Sequence, residues 1–348
     1  MPLQLFNPWN DLALAANDPH YTPPASALQM AADLADLSSL WSSPGDLAEG
    51  SQAILPWGWS PLQVRLLREA GVVEDYLPTQ KQLVDYRAFA SRQTAVRLLA
   101  QLRDSWPEAW QEGWLVGESS WCTTEDEVVA AQGAYGRMML KAPWSGSGRG
   151  VHPTAQQLTE KDWAWIRRSL KRQGGVEVEP IYNKVLDFAM EFWAERGQAR
   201  YEGLSLFSTT DGGVYSGNLV ASEAEKERRL AQYVSLERLQ ELREHLIILL
   251  NNANLPTWYR GPLGIDMLIC QSPLSQPLTL NSQLSTFSLH PFIELNLRMT
   301  MGWLAILLAR RQRPQEVRLF RIIQENGRYR YEIHNLPDWD KQKQGFLY

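Results

Sequence analysis

The residues that speak most directly of chemistry lie in Phe292-Ile293-Glu294-Leu295-Asn296-Leu297-Arg298. Side chains alternate between the two faces of a strand, so here Glu294, Asn296 and Arg298 share one face while Ile293, Leu295 and Leu297 fill the other. Gly264-Ile265-Asp266-Met267-Leu268-Ile269 repeats the arrangement, with one carboxylate among apolar neighbours. If the two strands pair, Asp266, Glu294 and Asn296 converge as three oxygen donors. Hard oxygen donors in small number suit Mg²⁺ bound jointly with substrate phosphates, and Arg298 would hold a second anion beside it. A second signal is Lys141 followed by Ala142-Pro143-Trp144-Ser145-Gly146-Ser147-Gly148-Arg149-Gly150. Its glycines let backbone N–H groups approach an anion closely. The spacing GxGxG is not a dinucleotide fingerprint, and no Gly-Lys-Ser/Thr ends the loop as in a Walker A motif. With the lysine on the strand before it, the loop reads as a lid over phosphates, or as a plain surface turn.

The elements that must position these groups follow from apolar spacing and turn residues. Leu3–Phe6 and Gln52–Trp57 read as strands, Ala25–Leu40 and Pro61–Ala70 as helices, with Gly71 as a stop; this alternation predicts an N-terminal α/β layer. Helical spacing from Thr79 to about Leu102 leads out of that unit. A capping box at Thr123 or Thr124 starts a helix, Arg137–Lys141 is a strand, and Gln156–Arg172 is a helix. Val176–Ile181, Val185–Glu195, Ala199–Phe207 and Val214–Val220 form an antiparallel block. A helix at Leu236–Leu250 precedes strands at Leu263–Cys270 and Pro291–Leu297. The chain closes with a helix near Thr300–Arg311 and a hairpin, Val317–Ile323 with Tyr329–His334, turned at Asn326-Gly327.

Composition removes several classes of function. With 34 Lys+Arg against 39 Asp+Glu the chain is mildly acidic, which argues against a nucleic-acid binder. The longest apolar stretch, Met299–Ala309, is far short of a bilayer, and Met1–Ala16 has no basic region before an apolar core, so a cytoplasmic protein without membrane contact is expected. Cys122 and Cys270 make no disulfide framework and read as buried small residues. At roughly 100 to 200 residues per domain, 348 residues imply two or three compact units.

In order and strand context, the series Lys141 with its Gly-rich loop, Val178-Glu179-Pro180-Ile181, Arg260-Gly261-Pro262-Leu263-Gly264-Ile265-Asp266 and Glu294-Leu295-Asn296-Leu297-Arg298 resembles the ATP-grasp superfamily over about Thr79–Arg311. The family consists mostly of ligases such as D-alanine:D-alanine ligase and biotin carboxylase. The resemblance implies an α+β ATP-grasp fold, two subdomains clasping ATP, after the N-terminal α/β layer. It divides the chain into residues 1–80, an ATP-grasp domain at 81–315, and a C-terminal hairpin and tail at 316–348 packed on it. It implies ATP and Mg²⁺ (or Mn²⁺) as cofactors. Lys141 would contact phosphates, and Ser145, Gly146, Ser147, Gly148, Arg149 and Gly150 would close over them. Glu179 and Ile181 would meet the adenine and Asp187 the ribose, and Arg260 matches a basic position at the start of the metal strand. Asp266, Glu294 and Asn296 would hold the metal, and Arg298, with Lys141, would be catalytic. The sequence departs from the family at the earlier phosphate-binding lysine, which Arg87 or Arg92 would have to replace.

The function so implied is ATP-dependent activation of a small carboxylate as an acyl phosphate, followed by attack of an amine or similar nucleophile, in a chain that often dimerises in this family. A phosphotransferase and a nucleotide-binding protein without turnover are the alternatives. Asn7-Pro8-Trp9-Asn10-Asp11 and Pro56-Trp57-Gly58-Trp59-Ser60 either line an acceptor pocket or simply make turns. Lys141→Ala is expected to weaken ATP binding more than folding.

Overall fold

The computed structural model describes residues 5–41, 54–146, 150–209, 215–272 and 286–336. The first part of the chain is helical: α1 (Asn10–Ala16), α2 (Ala25–Asp33), a 3₁₀ turn at Ala35–Leu40, then α3 (Pro61–Glu69), which Ser60 caps through its side chain and Pro61 starts. The expected N-terminal α/β layer is absent among the described residues: neither Leu5–Phe6 nor Ile54–Trp57 is a strand. Each segment meets a proline, Pro8 and Pro56, and between them the backbone ladder shrinks to one bond from Trp57 N–H to the Leu5 carbonyl. The rest of both predicted strands, Leu3–Gln4 and Gln52–Ala53, lies outside the described residues.

The helical stretch after Thr79 is two helices, α4 (Gln80–Phe89) and α5 (Arg92–Ser105), each started by its own cap, Thr79 and Ser91. The short α6 (Pro107–Gln111) follows. Next come β1 (Ser120–Cys122), α7 (Glu125–Tyr135), β2 (Met138–Lys141), β3 (Val151–Pro153), α8 (Glu160–Gln173) and β4 (Val176–Pro180). Thr124 and Glu127 form the capping box of α7. These strands make a four-stranded antiparallel sheet in the order β1-β4-β2-β3, packed on a small apolar cluster with Val128, Ile166 and Leu170.

The remaining elements are β5 (Lys184–Glu195), β6 (Gln198–Thr209), β7 (Tyr215–Val220), α9 (Glu223–Leu230), α10 (Leu236–Asn252), β8 (Arg260–Gln271), β9 (Phe287–Asn296), α11 (Met301–Gln312), β10 (Arg318–Glu325) and β11 (Arg328–Asn335). All seven strands join one antiparallel sheet, in the order β11-β10-β7-β6-β5-β8-β9. The C-terminal hairpin enters it through β10, which pairs with β7, and its turn places Asn326 and Gly327 at positive φ as predicted.

One face of this sheet is apolar. Phe188, Met190, Phe192, Leu204, Leu206, Ile265, Met267 and Leu295 belong to a single core with Leu98 and Leu102 of α5 and with Leu242 and Leu246 of α10. The opposite face carries the polar row of the site, and α11 covers part of it. Pro291 marks a break in β9: the register shifts between Asp266 and Leu268, and residues 291–293 have no partner in β8. The sequence reading starts the strand at this proline; the bulge is what lets the strand continue through it.

Candidate functional site

Strand register builds the core of the site. Asp266 on β8 lies opposite Glu294 on β9, and Gly264 lies opposite Asn296, so the three predicted metal ligands share the polar face. Asn296 donates from Nδ2 to Asp266 Oδ2 at 3.2 Å along the diagonal of that pairing. Burial and the neighbouring Glu294 push the Asp266 carboxyl up to about 7, with Arg298 pulling the other way. Two acids facing one another in a half-buried row, with an amide beside them, are the donor set that a hard divalent cation would relieve. The residues present therefore fit Mg²⁺, although among the described residues no three His, Cys, Asp or Glu side chains gather as a metal cluster.

The cations come from the other sheet. Lys141 ends β2, an interior strand flanked by β3 and β4, and is buried rather than an exposed edge lysine. It faces Glu179 Oε2 at 2.8 Å and Glu177 Oε1 at 3.7 Å, both on β4, where Glu177 is its direct cross-strand partner. It also donates to the Ile293 carbonyl (3.3 Å), which the β9 bulge leaves outside the register. Burial alone would lower the lysine's pKa, but the two glutamates outweigh it and raise it. Burial pushes Glu179 up to about 7 against the pull of Lys141.

Arg92, at the start of α5, ties the sheets together. Its Nη2 lies 2.6 Å from Glu294 Oε1, its Nε lies 3.7 Å from Glu177, and its Nη1 donates to the Ala142 carbonyl and to Ser145 Oγ. Arg87 is engaged elsewhere, over the Trp144 ring at 3.6 Å and on the Leu14 carbonyl. Of the two arginines offered by the sequence, only Arg92 stands among the acids of the site.

The Gly-rich loop is the β2–β3 connection, closed by Ala142 N–H on the Gly150 carbonyl. Ser145 is buried, and a Cβ at Gly150 would lie 2.1 Å from the Ser145 side chain, so this approach needs glycine. Ser147, Gly148 and Arg149 lie outside the described residues. Ile181 follows β4 on the way into β5, where Asp187 accepts from Lys184 Nζ (2.7 Å) and Thr209 Oγ1 (2.8 Å). Arg260 is not brought to the site. It pairs with Glu195 at 3.1 Å, six residues or roughly 20 Å along β8 from Asp266.

Arg298 follows β9 and leaves the metal row for the N-terminal helix. Its Nε and Nη2 each lie 3.0 Å from a different oxygen of Asp11, and Nη1 donates to the Met299 carbonyl. Tyr86, fully buried, donates to the Leu297 carbonyl and so holds the backbone next to it. Asn10, Asp11, Trp144, Ser145, Glu294 and Arg298 line one narrow cleft. Sequence reasoning named the Asn7–Asp11 loop without choosing a role, and it missed Glu177. The alternation Glu177-Val178-Glu179 was the available signal, since both acids fall on the face of Lys141.

A second acid escaped notice. Glu191 on β5 lies opposite Gly264 and is 1% exposed. Its Oε1 accepts from Thr300 Oγ1 (2.6 Å), the residue that caps α11, while Oε2 has no hydrogen-bond partner among the described residues. Cβ atoms on Gly264 and Gly302 would stand 2.6 and 2.2 Å from its carboxylate oxygens, so the two glycines make room for it. Burial pushes Glu191 up to about 8 from 4.5. A folded value above the unfolded one means stability is lost as pH rises between the two. Glu191→Gln keeps the acceptor for Thr300 but cannot ionise. We expect it to flatten the fall in the urea midpoint between about pH 5 and pH 8.5 and to gain on the order of 5 kcal/mol at the upper end. An unchanged slope would remove Glu191 as its cause.

No protein-family model and no curated protein matches the chain. Similar solved structures include the ADP complex of N5-carboxyaminoimidazole synthetase from Staphylococcus aureus, 12% identical with a TM-score of 0.42 over 76% of this chain and 63% of that one. Another is the Hydrogenobacter thermophilus 2-oxoglutarate carboxylase biotin carboxylase domain dimer with MgADP, ADP and bicarbonate, 12% identical, TM-score 0.49, over 87% and 64%. A third is D-alanyl-alanine synthetase A from Vibrio cholerae O1 biovar eltor, 15% identical, TM-score 0.35, over 57% and 54%.

Each of these three likenesses has a TM-score below 0.5. This chain spans less than two thirds of the length of each of these three structures. The chemistry of the site rests on the side chains of this chain. No helix among the described residues is long and apolar enough to cross a membrane.

Proposed function

We propose that the chain binds MgATP where its two sheets meet and uses it to activate a small carboxylate for attack by an amine or similar nucleophile. The observation that carries this reading is that two buried cations meet the strand bearing the in-register oxygen donors Asp266, Glu294 and Asn296: Arg92 pairs with Glu294, and Lys141 donates to the adjacent Ile293 carbonyl. Lys141 and Arg92 would take the nucleotide phosphates, exchanging carboxylate partners for phosphate oxygens. Ser145, Gly146 and Gly150, with Ser147, Gly148 and Arg149, would cover those phosphates. Glu179, Ile181 and Asp187 would face the nucleoside. Asp266, Glu294 and Asn296 would hold Mg²⁺ (or Mn²⁺), which supplies neutralisation of the phosphate charge.

In the first step an acceptor carboxylate oxygen attacks the γ-phosphorus, the bond to the β-phosphate oxygen breaks, and ADP leaves. In the second the nucleophile attacks the carbonyl carbon of the acyl phosphate, inorganic phosphate leaves with the C–O bond, and the nucleophile gives up a proton. Arg298 would steady the acceptor, and Lys141 and Arg92 the charge on the transferring group. Exclusion of water by the loop would protect the acyl phosphate from hydrolysis. The division into residues 1–80, 81–315 and 316–348 belongs to the same reading, as does a homodimer.

Calorimetric titration of a non-hydrolysable ATP analogue with and without Mg²⁺ tests it. Binding that depends on the metal is the expected result. Absence of binding in both conditions, or equal binding in both, would overturn the site.

A further inference from the structure

Asp11 reaches the site from the opposite end of the chain and occupies the Nε/Nη2 fork of Arg298. The guanidinium spends Nε and Nη2 on the two Asp11 oxygens and Nη1 on the Met299 carbonyl. α1, which carries Asp11, is set by its neighbours: Asn7 exchanges two hydrogen bonds with the backbone of Gly58, and a Cβ on Gly58 would stand 2.4 Å from the Asn10 side chain. The Gly-rich turn also comes down on this carboxylate, since a Cβ on Gly146 would lie 3.1 Å from Asp11 Oδ2. The ion pair thus stands in the cleft between the loop and the row of oxygen donors.

A ligand carboxylate reaches the Nε/Nη2 fork of Arg298 only by displacing Asp11. The Asp11 side chain is 20% exposed and has no other cationic partner among the described residues, so displacement strands a largely buried charge. A simple carboxylate therefore gains one pair and destroys another. A ligand with an ammonium beside its carboxylate splits the pair instead, with its carboxylate on the guanidinium fork and its ammonium on Asp11. We infer that Asp11 is a specificity-determining residue that selects zwitterionic, α-amino-acid-like acceptors. This rests on the proposed ligase reading and narrows its substrate class.

The test uses three probes, glycine, acetate and methylammonium, followed by ligand-observed NMR on the full chain, with and without ADP and Mg²⁺. Glycine should bind the wild-type chain at least about tenfold more tightly than either single-charge probe, the factor expected from one charge-assisted pair. Asp11→Asn should weaken glycine by about tenfold and let acetate bind as well as glycine does. Equal binding of the three probes, no binding of any, or a glycine preference that survives Asp11→Asn would overturn the inference and leave the ion pair a structural clasp. Should Asp11→Asn melt early, the wild-type preference alone decides. Failure of ADP itself to bind would count against the ligase reading, while the nucleotide-free titrations still decide the role of Asp11.

Discussion

Lys141→Ala is expected to lower stability by about 3–5 kcal/mol, the range for removing one partner of a buried ion pair. The sequence suggested that this variant would weaken ATP binding more than folding; the burial of Lys141 between Glu177 and Glu179 overturns that expectation. Without the ammonium, two glutamates remain in the interior with Arg92 as their nearest cation, 3.7 Å from Glu177. The variant's deficit should also depend on pH. Glu179 already titrates near 7 because burial disfavours its charge, and losing Lys141 moves it further up. Its folded value then lies above the unfolded one, so the deficit grows as pH rises and is smallest near about pH 5. Urea unfolding at two pH values measures this. Adding Glu179→Gln to Lys141→Ala should restore part of the stability but none of the nucleotide affinity. A Lys141→Ala chain as stable as wild type at both pH values would contradict the ion-pair account.

Glu294→Ala should leave the fold standing while removing the Mg²⁺-dependent part of nucleotide binding, by about a hundredfold or more. Glu294 is 24% exposed at the side chain, and it faces Asp266 across the strand pair. Its removal frees Arg92 from one partner, but Glu177 remains near that guanidinium, so the melting temperature should move little. Asp266 provides an internal readout, since Glu294 is the second cause of its raised pKa, after burial. In Glu294→Ala the Asp266 carboxyl should fall towards its ordinary range, which carboxylate NMR would report. Titration of the ATP analogue with and without Mg²⁺ gives the main measurement. An undiminished metal effect would place the metal away from Glu294.

Much of the site was legible because it is local in strand geometry. Glu294, Asn296 and Arg298 at every second position, and Asp266 amid apolar neighbours, specify one polar and one buried face without any knowledge of partners. The register of β8 and β9 then delivered Asp266 opposite Glu294. The cap of α7 was legible for the same reason, since Thr124 acts within one turn. The described parts of the two predicted N-terminal strands, Leu5–Phe6 and Ile54–Trp57, are not strands; a short apolar run cannot show whether a neighbouring strand exists to pair with it. Arg260 was misplaced because position along a strand decides which end of the sheet a side chain reaches.

What the sequence by itself determined was periodicity: which side chains share a face, where helices begin, and the order of Lys141, Glu179, Asp266 and Glu294 along the chain. Tertiary structure decided which distant charges meet. It chose Arg92 over Arg87 because α5 enters the site at its first turn while Arg87 lies over Trp144. It put Glu177 under Lys141 through the pairing of β2 with β4. It brought Asp11 onto Arg298 across 287 residues of chain. The physical reason is range: alternation and capping are set by neighbours a few residues away, whereas an ion pair depends on where the packed core lets two remote segments come together.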